Sequence, residues 1–219
     1  MLYGERVGLV RYRAGEALAE QHGDTITDPN TLVVPIPETS LPIAEGFAKR
    51  LGLECMAGAI TKNRYVGRTF MLQNQQLRQQ NLKLKHNFIP EFVRGRPVAL
   101  VDDSIVRLNT ARQLIEKARA AGATSVRLFL GSPPVRFPDF YGIDTPRQSE
   151  LAAANMTVEE MREDIEAEYI GFLALSGLIS ATRQPRERFN LSAFTGEYPI
   201  GIGHHKNSIR APIEMSYID

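Results

Sequence analysis

The chain is predicted to be an α/β protein built on a mostly parallel central sheet flanked by helices, and three observations predict it. TLVVPI at 31–36 and PVALV at 97–101 have the continuous apolar, β-branched character of strands buried on both faces. Each gives way within a few residues to a stretch whose apolar residues recur at helical spacing. A third apolar run, SVRLFL at 125–130, follows the second of those stretches after a short turn. Strands that alternate with helices imply parallel pairing with both faces covered, and ligands of such sheets sit at the carboxyl ends of the strands. The loops after Ile36, Lys62, Val101 and Leu130 are therefore the segments to inspect.

The elements follow in order. After the strand at 31–36, Thr39 or Ser40 can cap a helix with Pro42 in its first turn, Ile43, Phe47, Ala48 and Leu51 on one face, and Gly52 as its stop. Ala59–Lys62 reads as a further strand of the sheet, ahead of a basic stretch. The strand at 97–101 runs into Asp102 and Asp103, and the turn Ser104–Leu108 leads to a helix carrying Ala111, Leu114, Ile115 and Ala118, ended by Gly122. Past Pro133 the texture becomes rich in Pro and aromatics. Val158–Ile165 reads as a short amphipathic helix with an acidic face and Leu173–Thr182 as one more helix, while the tail from Gln184 is loop-like. Residues 1–183 are expected to form one domain, with 184–219 an extension packed on its core and not an independent unit.

Composition sets bounds on function. A chain of 219 residues with 43% hydrophobic and 23% charged residues can bury a sizeable core and is not of a disordered, collagenous or disulfide-rich class. The single cysteine, Cys55, excludes an internal disulfide and a multi-cysteine zinc site. No apolar run approaches the roughly 18 residues of a membrane span, and MLYGERVGLVRYR lacks a signal-peptide pattern, so the expected location is cytoplasmic with no membrane partner. The net charge is +1, yet between Lys62 and Arg96 eight Lys/Arg face only Glu91. A local basic stretch in a near-neutral chain suits a small anion better than a nucleic-acid track, and no nucleic-acid partner is expected.

The most informative segment is VALVDDSIVRLNT at 98–110. A buried strand that ends in two acids and turns at once into a helix puts carboxylates at the sheet edge, with the free N–H groups of a helix start just behind them. A ligand with a diol and a phosphate a few ångströms apart, such as a ribose 5-phosphate, would satisfy both. Two solvated acids that merely cap a helix would read the same way.

Taken with VVPIPETS, KNRYVGRTF, GSPPVRFPDFYGID and FTGEYPI, in that order and spacing, this segment resembles the type I phosphoribosyltransferases. More narrowly, the chain is similar to the phosphoribosyltransferase half of the glutamine phosphoribosylpyrophosphate (PRPP) amidotransferase family. The resemblance implies the type I fold with a small hood and a wrapped C-terminal tail. It implies that Pro37, Glu38, Thr39 and Ser40 contact the diphosphate of PRPP, and that Asp102 and Asp103 hold the ribose hydroxyls directly or through Mg²⁺. Ser104, Arg107, Leu108, Asn109 and Thr110 would wrap the 5′-phosphate, and Lys62, Arg64, Tyr65 and Arg68 would form a catalytic loop over PRPP. Arg136 and Tyr141, with Ile143, would cover the reacting centre, and a homo-oligomer is implied.

Departures from the family pattern matter equally. The family's phosphate loop reads Arg-Gly-Thr-Thr or Arg-Gly-Thr-Ser, whereas Arg107 is followed by Leu108, Asn109, Thr110 and Ala111. Glycine there permits close backbone approach, and a leucine is expected to place an apolar branch beside a dianion and weaken binding. Asn190 and Ala193 stand where some members carry cluster cysteines, so no iron–sulfur cluster is expected. Cys55 has the apolar neighbours of a core thiol, and the adjacent pair His204 and His205 has no spaced carboxylate. Met1 falls near where the family's second half starts, so glutamine hydrolysis is not expected and nitrogen would come from ammonia, another amine or a separate glutaminase chain. The resulting expectation is a Mg²⁺- and PRPP-dependent glycosyltransferase of purine biosynthesis that releases pyrophosphate. The alternative is a non-catalytic PRPP- or nucleotide-binding sensor or partner subunit.

Overall fold

A computed structural model describes residues 4–62, 86–142, 145, 147–203, 209–211 and 213. Its centre is a five-stranded sheet of β1 (Leu32–Pro35), β2 (Glu54–Cys55), β5 (Pro97–Asp102), β6 (Ser125–Leu130) and β7 (Tyr169–Phe172), in the order β2-β1-β5-β6-β7. All four pairings are parallel. The period-2 alternation of each strand explains the continuous apolar runs. Leu32, Val34, Val98, Leu100, Leu128 and Leu130 enter one buried cluster, while Val33, Ala99, Val101 and Phe129 enter the other.

One face is covered by α4 (Leu108–Ala120), which buries Leu108, Ala111, Leu114, Ile115 and Ala118 at the predicted helical spacing, and by α6 (Val158–Asp164). A capping box starts α6: Thr157 accepts from the Glu160 N–H while the Glu160 side chain accepts from the Thr157 N–H. The other face is covered by α1 (Val7–His22) and α2 (Leu41–Leu51). These two helices meet backbone to backbone. A Cβ on Gly15 would lie 1.9 Å from the Ile43 carbonyl oxygen, and one on Gly46 would lie 2.0 Å from that of Tyr12.

Ala59–Lys62 does not extend the central sheet as expected. β3 (Ile60–Lys62) pairs antiparallel with β4 (His86–Phe88) in a separate two-stranded sheet, with Lys62 opposite His86. A short α3 (Pro90–Val93) then leads into β5. The expected helix over Leu173–Thr182 begins later, as α7 (Leu175–Thr182), because Tyr169–Phe172 is spent as edge strand β7. Two short helices, α5 (Ala152–Asn155) and α8 (Ser192–Thr195), complete the α-helices among the described residues.

The C-terminal segment packs against the Pro-aromatic loop that leaves β6. The Arg136 and Phe137 N–H groups donate to the Ala193 carbonyl at 2.9 and 3.1 Å. Tyr198 donates its hydroxyl to the Pro138 carbonyl at 2.8 Å, and burial pushes that phenol up to about 12. Gln148 bridges the loop and the tail, donating to the carbonyls of Arg136 and Arg210 and accepting from the Arg210 N–H.

Candidate functional site

The carboxyl edge of the central strands carries the candidate site. β1 stays zipped to β5 one residue beyond its formal end, the Ile36 N–H donating to the Val101 carbonyl at 2.9 Å. The next strand holds the edge too, since Asp102 lies opposite Leu130 and its carbonyl accepts from the Gly131 N–H at 2.9 Å. Asp102 is therefore held in the sheet at its carboxyl edge, and Asp103 follows directly off the strand end.

The two acids differ in environment. Burial pushes the Asp102 carboxyl up to about 7, against a 2.8 Å hydrogen bond from the Asp103 N–H that favours its charged form, with the Asp103 charge adding to the rise. Asp103 accepts at Oδ2 from the Thr39 hydroxyl at 2.5 Å and at Oδ1 from Ser104 at 3.4 Å. Thr39, exposed on the turn after β1, is thus brought to the acid pair. In that turn the Pro37–Glu38 peptide is cis.

Directly after the acids, α4 begins without a side-chain cap. Arg107 holds the N-cap position with extended backbone, and no acid occupies the first turn. The first-turn N–H groups, with exposed Asn109 and Thr110, form a ready anion-binding end a few residues from the carboxylates. Arg107 pairs with Glu150 at 2.5 Å, both side chains about half exposed at 54% and 47%. An ion pair that open to water contributes little, so an arriving anion can replace Glu150. The Val106 carbonyl accepts from the Ala152 N–H at 2.9 Å, which ties the same turn to the Glu150 segment. No local motif marks Glu150 in the sequence, and it was not anticipated there.

Two of the expected side chains are turned into the protein. Ser40 is fully buried and turns its hydroxyl back onto the Ile36 carbonyl, so it neither caps α2 nor faces the site. Leu108 is 7% exposed and packs in the cluster with Ile105, Ala111 and Leu114. Its side chain fills the core under the helix start instead of lying beside a phosphate, because position N1 of α4 faces the sheet.

Two further expected residues bond to the C-terminal segment. The Arg136 guanidinium donates to the Ile213 carbonyl at 3.1 Å and stacks near the Phe137 ring, and burial lowers its pKa. The Tyr141 hydroxyl donates to the Ile200 carbonyl at 2.6 Å and accepts from the Ile200 N–H at 3.1 Å. Both residues thus clasp the C-terminal segment. Lys62 is described only through its place in β3, and Arg64, Tyr65, Arg68, Ile143, His204 and His205 lie outside the described residues. Burial pushes the Cys55 thiol up to about 11, aided by the Glu45 charge, which leaves it unsuited to nucleophilic work. Among the described residues no group of three or more His, Cys, Asp or Glu could hold a metal ion.

No family model matches the chain. A curated amidophosphoribosyltransferase of Synechococcus elongatus is 39% identical over 202 residues, covering 92% of this chain and 40% of that protein. The amidophosphoribosyltransferase of Bacillus subtilis is 38% identical over 206 residues, covering 91% and 42%. The solved glutamine PRPP amidotransferase from B. subtilis, complexed with ADP and GMP, superposes with a TM-score of 0.80 at 37% identity, covering 92% of this chain and 44% of that one. The chain is a homologue of the amidophosphoribosyltransferases. It has the type I phosphoribosyltransferase fold that the resemblance implied. A second solved structure, described as the allosteric regulatory enzyme of purine biosynthesis, superposes equally well, with a TM-score of 0.80 at 35% identity over 95% of this chain and 44% of that one. This amidophosphoribosyltransferase homologue spans about two-fifths of the length of the curated relatives it matches.

Proposed function

We propose that the chain binds Mg²⁺–PRPP at the carboxyl edge of β5 and transfers its 5-phosphoribosyl group to ammonia or another amine, releasing pyrophosphate. One observation carries the reading: the Asp102–Asp103 pair, joined by Thr39 from the neighbouring turn, stands immediately before the uncapped start of α4. The carboxylates suit the ribose 2- and 3-hydroxyls, and the N–H groups of Leu108, Asn109 and Thr110 suit the 5-phosphate. The turn at Pro37, Glu38 and Thr39 lies on the diphosphate side.

As the amine attacks C1 and the C1–oxygen bond to the diphosphate breaks, charge gathers on the departing pyrophosphate while the sugar becomes cation-like. Cations and fixed donors aimed at that charge are what a protein can add, and removal of one such donor typically costs on the order of a hundredfold or more in rate. Lys62, with Arg64, Tyr65 and Arg68, is assigned that role. Arg107, released from Glu150, adds a further cation near the 5-phosphate. The donor set fits Mg²⁺: two adjacent carboxylates, one of them buried beyond its own comfort as an anion, and a hydroxyl are hard oxygen ligands, and Mg²⁺ takes only one or two carboxylates alongside water and substrate phosphates. When bound, the ion neutralises part of the diphosphate charge.

Nitrogen would come from ammonia, another amine or a separate glutaminase chain, and the setting would be cytoplasmic purine biosynthesis by a homo-oligomer. Among the described residues no helix is long and apolar enough to cross a membrane. The test is pyrophosphate release from PRPP with Mg²⁺ in the presence of no acceptor, ammonium or glutamine, with calorimetric titration of PRPP alongside. Ammonium-dependent release supports the transferase; binding without release in any arm replaces it with a non-catalytic PRPP-binding subunit; neither binding nor release removes both.

A further inference from the structure

α4 touches the rest of the molecule at both ends. Its start borders the Asp102–Asp103 pair, and near its last turn Lys117 reaches away from the central sheet to the two-stranded sheet. There the Lys117 ammonium donates to the backbone carbonyl of His86. His86 is the residue that pairs with Lys62 across the β3–β4 ladder. The contact is not a loose surface one, because burial lowers the pKa of the Lys117 ammonium and His86 is itself only 8% exposed. The ladder is three pairs long, Ile60–Phe88, Thr61–Asn87 and Lys62–His86, too short to hold a position without help from its surroundings. Away from Lys62 the ladder runs on through the Ile89 N–H, which donates to the Ala59 carbonyl at 2.9 Å, and Ile60 is buried in the core. The Lys62 end has Lys117.

We infer that Lys117 is a positioning residue: by holding the His86 carbonyl against α4, it fixes the backbone of Lys62 relative to the helix whose start receives the 5-phosphate. The bond limits how far the His86 backbone can move from α4, and a shift of about 1 Å in a charge aimed at a transition state can cost up to a hundredfold in rate. This inference rests on the assignment of Lys62 to the leaving pyrophosphate, and its first measurement does not.

The first measurement is amide hydrogen exchange on the full chain without ligand. Lys117→Met keeps the stem and removes the donor, and it should speed exchange at residues 60–62 and 86–88 at least tenfold while leaving β5 and β6 protected. Lys117→Arg should restore protection. Unchanged exchange in Lys117→Met, or loss of protection throughout the sheet, would overturn the tether whatever the chain's activity. The second measurement is a double-mutant cycle on pyrophosphate release. Lys117→Met should lower kcat about tenfold or more with PRPP affinity within twofold of wild type, and should add nothing in a Lys62→Ala background. Additive losses, or a Lys62→Ala variant with wild-type kcat, would overturn the positioning role. A wild-type chain that releases no pyrophosphate would instead remove the functional reading and leave the exchange result to decide the tether.

Discussion

Thr39 donates its hydroxyl to Asp103 at 2.5 Å although the two lie 64 residues apart in the chain. The bond crosses from the turn after β1 to the end of β5, strands that are immediate neighbours in the sheet. It is the direct link between the turn assigned to diphosphate and the acids assigned to ribose. Thr39 is exposed, so water can replace its hydroxyl at Asp103 and Thr39→Val should cost little thermal stability. With PRPP bound, the same hydroxyl is assigned to the diphosphate, where a hydrogen bond to a charged group contributes about 1.5–3 kcal/mol, and PRPP affinity should fall about tenfold or more by calorimetry. Asp103→Asn should abolish binding; wild-type affinity in either variant would contradict the site.

Leu108 separates two readings. From the sequence its side chain lies beside a phosphate, and replacing it with glycine should tighten PRPP binding. In the structure it is buried beneath the start of α4. Leu108→Gly should therefore lower the stability of the chain by about 3 kcal/mol, the range of buried leucine truncations, seen as a reduced urea midpoint. Tighter PRPP binding with an unchanged midpoint would restore the sequence reading.

Asp102 should make the ligand-free chain less stable in alkali. Its carboxyl, ordinarily near 3.8, is raised to about 7 in the fold by burial. A group raised in this way favours the folded state only while protonated, so its contribution is complete below about pH 4 and is lost as pH climbs through 7. Tm should fall from about pH 4 to about pH 7 without ligand and level off above that. Asp102→Asn, which keeps an oxygen to accept from the Asp103 N–H, should flatten that fall and be the more stable form at the alkaline end. A wild-type Tm that is level across this interval would count against the buried carboxyl.

Gly46 should not tolerate even alanine. In an exposed helix the change would gain about 1 kcal/mol, but a Cβ here meets the Tyr12 carbonyl oxygen at 2.0 Å. Gly46→Ala should force α1 off α2 and lose about 2 kcal/mol or more, measured by denaturant unfolding. Gly58→Ala is the control, since nothing lies within 4 Å of its added methyl.

Much of this was legible in the residues, and the exceptions have physical causes. Strands β1, β5 and β6 announced themselves because a parallel strand covered on both faces must be apolar at every position. α4 and α2 showed their faces through the spacing of Leu114, Ile115 and Ala118, and of Ile43 and Phe47. α1 did not, since its buried face is largely Ala14, Gly15 and Ala19, whose smallness serves a close helix crossing and leaves little hydrophobic signal. β3 reads from the sequence as part of the central sheet, because a three-residue strand carries no mark of its partner. At the site, the acid pair was readable from its place at the end of a buried strand, whereas Thr39 reads from the residues as a candidate helix cap and is assigned to the site by the resemblance alone. Ser40 and Leu108 were not readable, since which way a side chain points at a helix start depends on the packing below it. Glu150 and Lys117 act only through contacts distant in sequence, which no local pattern encodes.

The position of β5 between β1 and β6 has a kinetic consequence. β5, α4 and β6 are consecutive in the chain and can assemble by local closure, whereas β1 joins β5 only after residues 36–96 have been looped out. Closing the longer loop carries the greater entropy cost, and distant pairings slow folding. The half of the site made by Asp102, Asp103 and the start of α4 should thus form early, and the half contributed by Thr39 late. A nascent or partly refolded chain would then hold a phosphate-sized anion before it could recognise a diphosphate, so the capacity to discriminate its substrate would be among the last properties the chain acquires.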